Sequence, residues 1–97
     1  MESKLKLSNI LHAYKNLKDN RDNMSMFDIG KHLGYMEAGL QVYGCLETVK
    51  NEKTDTFDIK RETIKSNKWW KKDKLETMEQ TIIRQVENMF TKNNIQF

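Results

Sequence analysis

Residues 60–91 read KRETIKSNKWWKKDKLETMEQTIIRQVENMFT, and the folding of this stretch decides whether the chain is purely helical. Its second half carries the strongest periodicity in the sequence. Leu75, Met78, Ile82, Val86 and Met89 recur at helical spacing, and Ile83 and Phe90 widen the stripe. Asp73 followed by Glu76 has the form of a capping box, and Ser66 is an earlier candidate cap, so the spacing predicts a helix over 66–91. The last residues, KNNIQF, are expected to fray. The first half of the stretch is basic. Residues 60–74 hold Lys60, Arg61, Lys65, Lys68, Lys71, Lys72 and Lys74 against Glu62 and Asp73, which leaves ten basic and twelve acidic residues elsewhere. On a helix Arg61, Lys65, Lys68 and Lys72 share a face, with Trp69 and Trp70 among them. Adjacent helical side chains point about 100° apart, so both indoles cannot be buried on one side.

Upstream, residues 50–60 (KNEKTDTFDIK) are polar and show no helical stripe. Phe57 and Ile59 alternate with Asp58 and Lys60, a short strand-like signal that leaves room for one hairpin within 50–63. Before it, Ser25 and Asp28 form a capping box of the Ser-x-x-Asp type, with Met24 and Ile29 placed as a hydrophobic staple. Ile29, Leu33, Met36, Leu40 and Tyr43 then continue a helix to about Val49. All four glycines lie in this one segment. Each costs about 1 kcal/mol relative to alanine in a helix interior, so some packing should offset them. Gly30, Gly34 and Ala38 lie four residues apart and form a helix-packing ridge with almost no side chain; alternatively, one glycine ends a first helix. At the N-terminal end, Leu7, Ile10, Leu11, Tyr14 and Leu17 fall on one helical face, while Lys4, Lys15 and Lys18 lie off it.

The chain has 97 residues, a net charge of +3, 32% charged residues, no proline and one cysteine. That length suits one domain with a thin core. A lone cysteine excludes an internal disulfide framework. No apolar run is long enough for a membrane span, and MESKLKLSN lacks the apolar centre of a secretory signal, so a cytoplasmic protein with no membrane partner is expected. Without proline, nothing forces a helix to break.

Residues 25–46 (SMFDIGKHLGYMEAGLQVYGCL) resemble the helix-turn-helix pattern. Ile29 and Gly30 match its first helix, Gly34 stands where that family places its turn glycine, and Tyr35, Leu40 and Tyr43 occupy the apolar positions of its second helix. The resemblance implies a recognition helix from Glu37 to about Leu46, with Glu37, Gln41 and Val42 as the DNA-reading residues. That helix contains no Lys or Arg, so phosphate gripping would fall to residues 60–74.

Catalysis has little support in the residues. His12 and His32 have no second ligand at metal spacing on their own helices, and Cys45 flanks the apolar stripe as a small buried residue would. No catalytic residue, cofactor or metal is expected. The sequence therefore predicts one all-α domain over 1–97, a small three-helix bundle with helices at about 3–19, 25–49 and 66–91. A homodimer through the Gly30/Gly34/Ala38 notch or the 75–90 stripe is one way to complete its core. Short length and a composition rich in Lys, Asn and Ile are shared with accessory genes of phages and mobile elements in low-GC bacteria. The leading expectation is a non-enzymatic protein that regulates or inhibits a nucleic-acid-processing protein in such a host cell. Its partner-binding residues would be Lys65, Lys68, Trp69, Trp70, Lys71 and Lys72, because interface hot spots favour tryptophan. A helix-turn-helix-like DNA-binding regulator is the alternative, and a structural oligomerisation module the third.

Overall fold

The computed structural model describes residues 6–97; of the expected 3–19 helix, residues 3–5 lie outside the described residues, and Lys6 is an extended N-cap, so the helix begins at Leu7. The element order is α1 (Leu7–Asn20), a one-turn 3-10 helix (Arg21–Asn23), α2 (Met26–Val42), β1 (Thr48–Asn51), β2 (Thr56–Ile59), β3 (Thr63–Ile64), β4 (Lys74–Leu75) and α3 (Met78–Lys92). The architecture is mixed α/β, three helices with two small antiparallel sheets, and this overturns the all-α expectation. β1 pairs with β2 from Thr48↔Ile59 to Asn51↔Thr56. β3 pairs with β4 through Thr63↔Leu75 and Ile64↔Lys74.

The core is built from the three stripes. Ile10, Tyr14 and Leu17 of α1, Ile29, Met36 and Leu40 of α2, and Ile82, Val86, Met89 and Phe90 of α3 are all buried. The Tyr14 hydroxyl donates to the Glu87 carboxylate, which ties α1 to α3. Burial, followed by that hydrogen bond and the charge of Glu87, pushes the phenol up to about 12, so it remains protonated at neutral pH. Tyr14 also meets Phe90 and Phe97 edge-on, with centroids 5.6 and 5.7 Å apart. The expected frayed tail is folded back at two points: Ile95 is half-buried against the core, and Phe97, though exposed, lies against Tyr14 and Phe90. Asn94 adopts φ 60°, and Ile95 N donates to Phe90 O at 2.8 Å while Asn94 N donates to Thr91 O at 3.1 Å. These two bonds make a Schellman cap, which turns Phe97 back onto the core.

Both errors in helix length come from caps. α2 starts where expected, with Ser25 Oγ accepting from Asp28 N at 3.1 Å. It ends at Val42 rather than Val49, because Gly44 takes φ 67° and closes a second Schellman cap, with Cys45 N donating to Leu40 O at 2.8 Å. α3 starts at Met78 rather than residue 66. Its true capping box is Thr77 and Gln80: Thr77 Oγ1 accepts from Gln80 N, and Gln80 Oε1 accepts from Thr77 N. Asp73 and Ser66 cap no helix; they close a loop. A helix over 66–77 would also have set Lys68 against Lys72 at i,i+4, a destabilising like-charge pair.

α2 runs without a break through Gly34, so residues 25–46 make no helix-turn-helix. Ile29, Met36 and Leu40 hold one continuous buried stripe on either side of that glycine. Gly30 and Gly34 are exposed and would meet nothing within 4 Å if they carried a Cβ. The close approach occurs instead at Gly39, where a Cβ would stand 2.4 Å from Ile10 Cδ1. Opposite effects follow from alanine substitution. Gly30→Ala and Gly34→Ala should each stabilise by about 0.5–1 kcal/mol through helix propensity. Gly39→Ala should destabilise by about 1–3 kcal/mol, since buried Ile10 must move. Urea unfolding followed by circular dichroism checks the signs.

Candidate functional site

The basic segment is anchored by a polar hub at the start of α3. Glu76 is only 6% exposed, yet its carboxylate is fully engaged. It accepts from Glu62 N at 2.6 Å, from Thr81 Oγ1 at 3.3 Å and from Arg84 Nε at 3.1 Å. Arg84 donates in turn to Lys60 O at 3.1 Å. Gln85, one residue on, is buried. It accepts from Glu47 N at 3.0 Å and donates to Glu47 O and Lys60 O at 3.2 and 3.3 Å. The backbone completes the joint: Lys60 N donates to Glu47 O, and Glu76 N to Glu62 O. One turn of α3 thus grips the bases of both hairpins. Burial works against the charged form of Glu76. The Arg84 and Thr81 hydrogen bonds, the Glu62 amide and the Arg84 charge outweigh it, and the carboxyl sits below its ordinary value.

From that base the β3–β4 hairpin projects as a finger over residues 63–75. Its tip is a β-turn in which Lys71 N donates to Lys68 O at 3.0 Å, so Trp69 and Trp70 are the two central residues. Ser66 and Asp73 brace the turn from below. Ser66 N donates to Asp73 Oδ1 at 2.9 Å, and Ser66 Oγ accepts from Lys68 N while donating to Lys68 O. Asn67 and these two short polar residues are turn formers that compete for backbone groups, which is why this stretch closes a loop. The indoles meet edge to face, with centroids 5.7 Å apart at 90°. Lys68 Nζ lies 5.4 Å from the Trp70 ring centroid, within cation–π range. Trp69 is 91% exposed and Trp70 62%. Lys65, Lys71 and Lys72 join Ile64, Ser66 and Lys74 around a cleft of about 170 Å³ below the tip.

The structure therefore brings Lys65, Lys68, Trp69, Trp70, Lys71 and Lys72 onto one element, but on a hairpin instead of a helix face. Arg61 is not with them: its Nε donates to Glu76 O at 2.7 Å in the hub. Glu37 is half-buried and Gln41 and Val42 exposed, all three on the C-terminal part of the unbroken α2. Ala38 is half-buried, while the Gly30 and Gly34 face is left uncovered by the described residues. Among the described residues no group of three His, Cys, Asp or Glu side chains could hold a metal ion. No described helix is long and apolar enough to cross a membrane. Sequence reasoning missed Glu76, Arg84 and Gln85 as the residues that aim the finger. The available signal was polar residues lying among the buried positions of the α3 stripe.

No family model, no curated protein and no solved structure matches the chain.

The hub predicts how stability varies with pH. A carboxyl whose folded pKa is depressed contributes stability above its unfolded pKa, and the contribution is lost as pH falls through the folded value. Glu76→Gln should therefore lower the urea midpoint at neutral pH and flatten its decline in the acid range. A variant that runs parallel to the wild type down to pH about 3 would remove Glu76 from that role.

Proposed function

We propose that this chain is a small non-enzymatic binding protein, of the kind carried by phages and mobile elements, that regulates or inhibits a nucleic-acid-processing protein by direct contact. The finger is its contact element. The observation that carries this reading is the pair of exposed tryptophans on a braced turn. A single exposed apolar residue is ordinary, but two adjacent indoles held at a protruding tip lie where hot-spot side chains belong. Bracing by Ser66 and Asp73 supports the same reading, because an ordered loop loses less entropy on binding.

Charge narrows the kind of surface. Residues 65–74 carry five lysines and one aspartate, so the partner's docking site is acidic around an apolar socket. In enzymes that handle phosphodiesters, the acidic spot is the carboxylate cluster that holds divalent cations. A cationic finger suits that cluster better than it suits a basic phosphate-binding channel.

Nucleic acid gripped by the same finger is the second reading. It is favoured by the exposure of Trp69 on a finger that carries five lysines, features able to stack an unpaired base and meet its phosphates. The helix-turn-helix route is not carried further, since α2 does not turn.

Affinity capture separates the two. The immobilised chain should retain a protein from a nuclease-treated bacterial lysate. Trp69→Ala/Trp70→Ala should weaken that retention by about 30-fold or more while leaving the circular dichroism unchanged. Undiminished capture by the double variant would overturn the finger as the contact. Capture that vanishes on nuclease treatment, with a gel shift of oligo-dT at about 50 mM salt that fades as salt rises, would replace the protein reading by the nucleic-acid one.

A further inference from the structure

A second site lies away from the finger, between α1 and α2. We infer that the cleft bounded by His12, Asn16, Lys31, His32 and Tyr35 binds a small organic phosphate, the charged head meeting His12 and Lys31 and the flat body lying against His32 and Tyr35. The cleft is a shallow, open one of about 360 Å³. That falls within the roughly 300–1,000 Å³ of small-molecule pockets. It exists because Ala13 forms its floor where Ile10 and Leu17, on the adjoining face of α1, are large and turned into the core.

Lys31 supplies a positive charge. The described lining residues are two histidines, that lysine, two asparagines, a tyrosine and Ala13, with no carboxylate among them. This holds in a chain with 14 Asp and Glu. An anion entering the cleft meets hydrogen-bond donors and the Lys31 ammonium, with no acid among the described lining residues to repel it.

The walls are already set. His32 Nδ1 lies 2.8 Å from Asp28 O, and His32 Nε2 lies 3.1 Å from Asn16 Nδ2. A carbonyl only accepts and an amide nitrogen only donates, so the neutral tautomer protonated at Nδ1 satisfies both contacts. The Asn16 orientation is fixed in turn by its Oδ1, which accepts from Asn20 Nδ2 at 2.7 Å. His32 is thus a rigid ring wall with both nitrogens occupied. Lys31 Nζ stands 5.5 Å from the Phe27 ring centroid, which holds the ammonium by a cation–π contact. His12 has no hydrogen-bond or ion-pair partner among the described residues and is available to a ligand. The cleft shares no residue with the finger.

Proton NMR of the histidine C2–H resonances tests it, with phenyl phosphate as the probe near neutral pH. The His32 resonance should shift saturably with phenyl phosphate and not with phenol. Lys31→Gln and His12→Gln, both at surface positions outside the core, should each weaken binding by about tenfold, the scale of one charge-assisted hydrogen bond. Trp69→Ala/Trp70→Ala should bind phenyl phosphate as the wild type does, which keeps this result separate from the fate of the finger. An equal response to phenol, a shift that does not saturate, or unaltered binding in both the lysine and the histidine variants would overturn the assignment.

Discussion

A carboxylate withdrawn from water is the constraint on which the rest of this structure depends. Glu76 is buried at the N-terminal end of α3, and a buried charge is tolerable only when its oxygens are met by donors. Those donors come from three parts of the chain: the Glu62 amide at the foot of β3, Thr81 on the first turns of α3, and Arg84 one turn further on. Satisfying the carboxylate therefore fixes where the second hairpin meets the helix. Arg84 and Gln85 extend the same restriction to Lys60 and Glu47, and so to the first hairpin. Loss of any member would leave a buried polar group unpaired, which costs more than the bond itself contributes.

This joint explains how two-residue strands can support a projecting loop. An isolated two-stranded hairpin is marginal in water, and β3 and β4 form only two residue pairs. The finger is stable because its base is clamped to a packed helix and its tip is braced by Ser66 and Asp73. Between these two fixed ends the Lys65, Lys71 and Lys72 side chains take no part in the bracing, whereas Lys68 does. The cation–π contact of Lys68 with Trp70 and the edge-to-face indole pair add local order at the tip.

The helices were legible where apolar stripes and local caps agreed. The α1 stripe, the Ser25 cap and the core face of α3 from Ile82 to Phe90 all follow from spacing alone. The ends were misread where two local signals competed. Thr77-x-x-Gln80 and Asp73-x-x-Glu76 both have the form of a capping box, and spacing does not distinguish them. The choice is made by tertiary structure, because Glu76 is needed in the hub and Asp73 in the loop. Gly44 could equally have been another notch in a longer helix; its left-handed conformation marks it as the terminator. Gly39 was hidden for a similar reason, since its contact with Ile10 depends on how α1 crosses α2. The six finger residues were readable as a group from charge and aromatic content, but their geometry was not, because it depends on the distant Arg84.

Placing both tryptophans on the finger leaves none in the core, where Tyr14 and Phe90 are the aromatic residues. The chain's two functions as an optical object are thereby separated. Indole emission reports the polarity around the loop tip and carries little information about melting of the helices, whereas far-ultraviolet circular dichroism reports the helices themselves. A spectroscopist following either band alone would be watching a different part of the molecule.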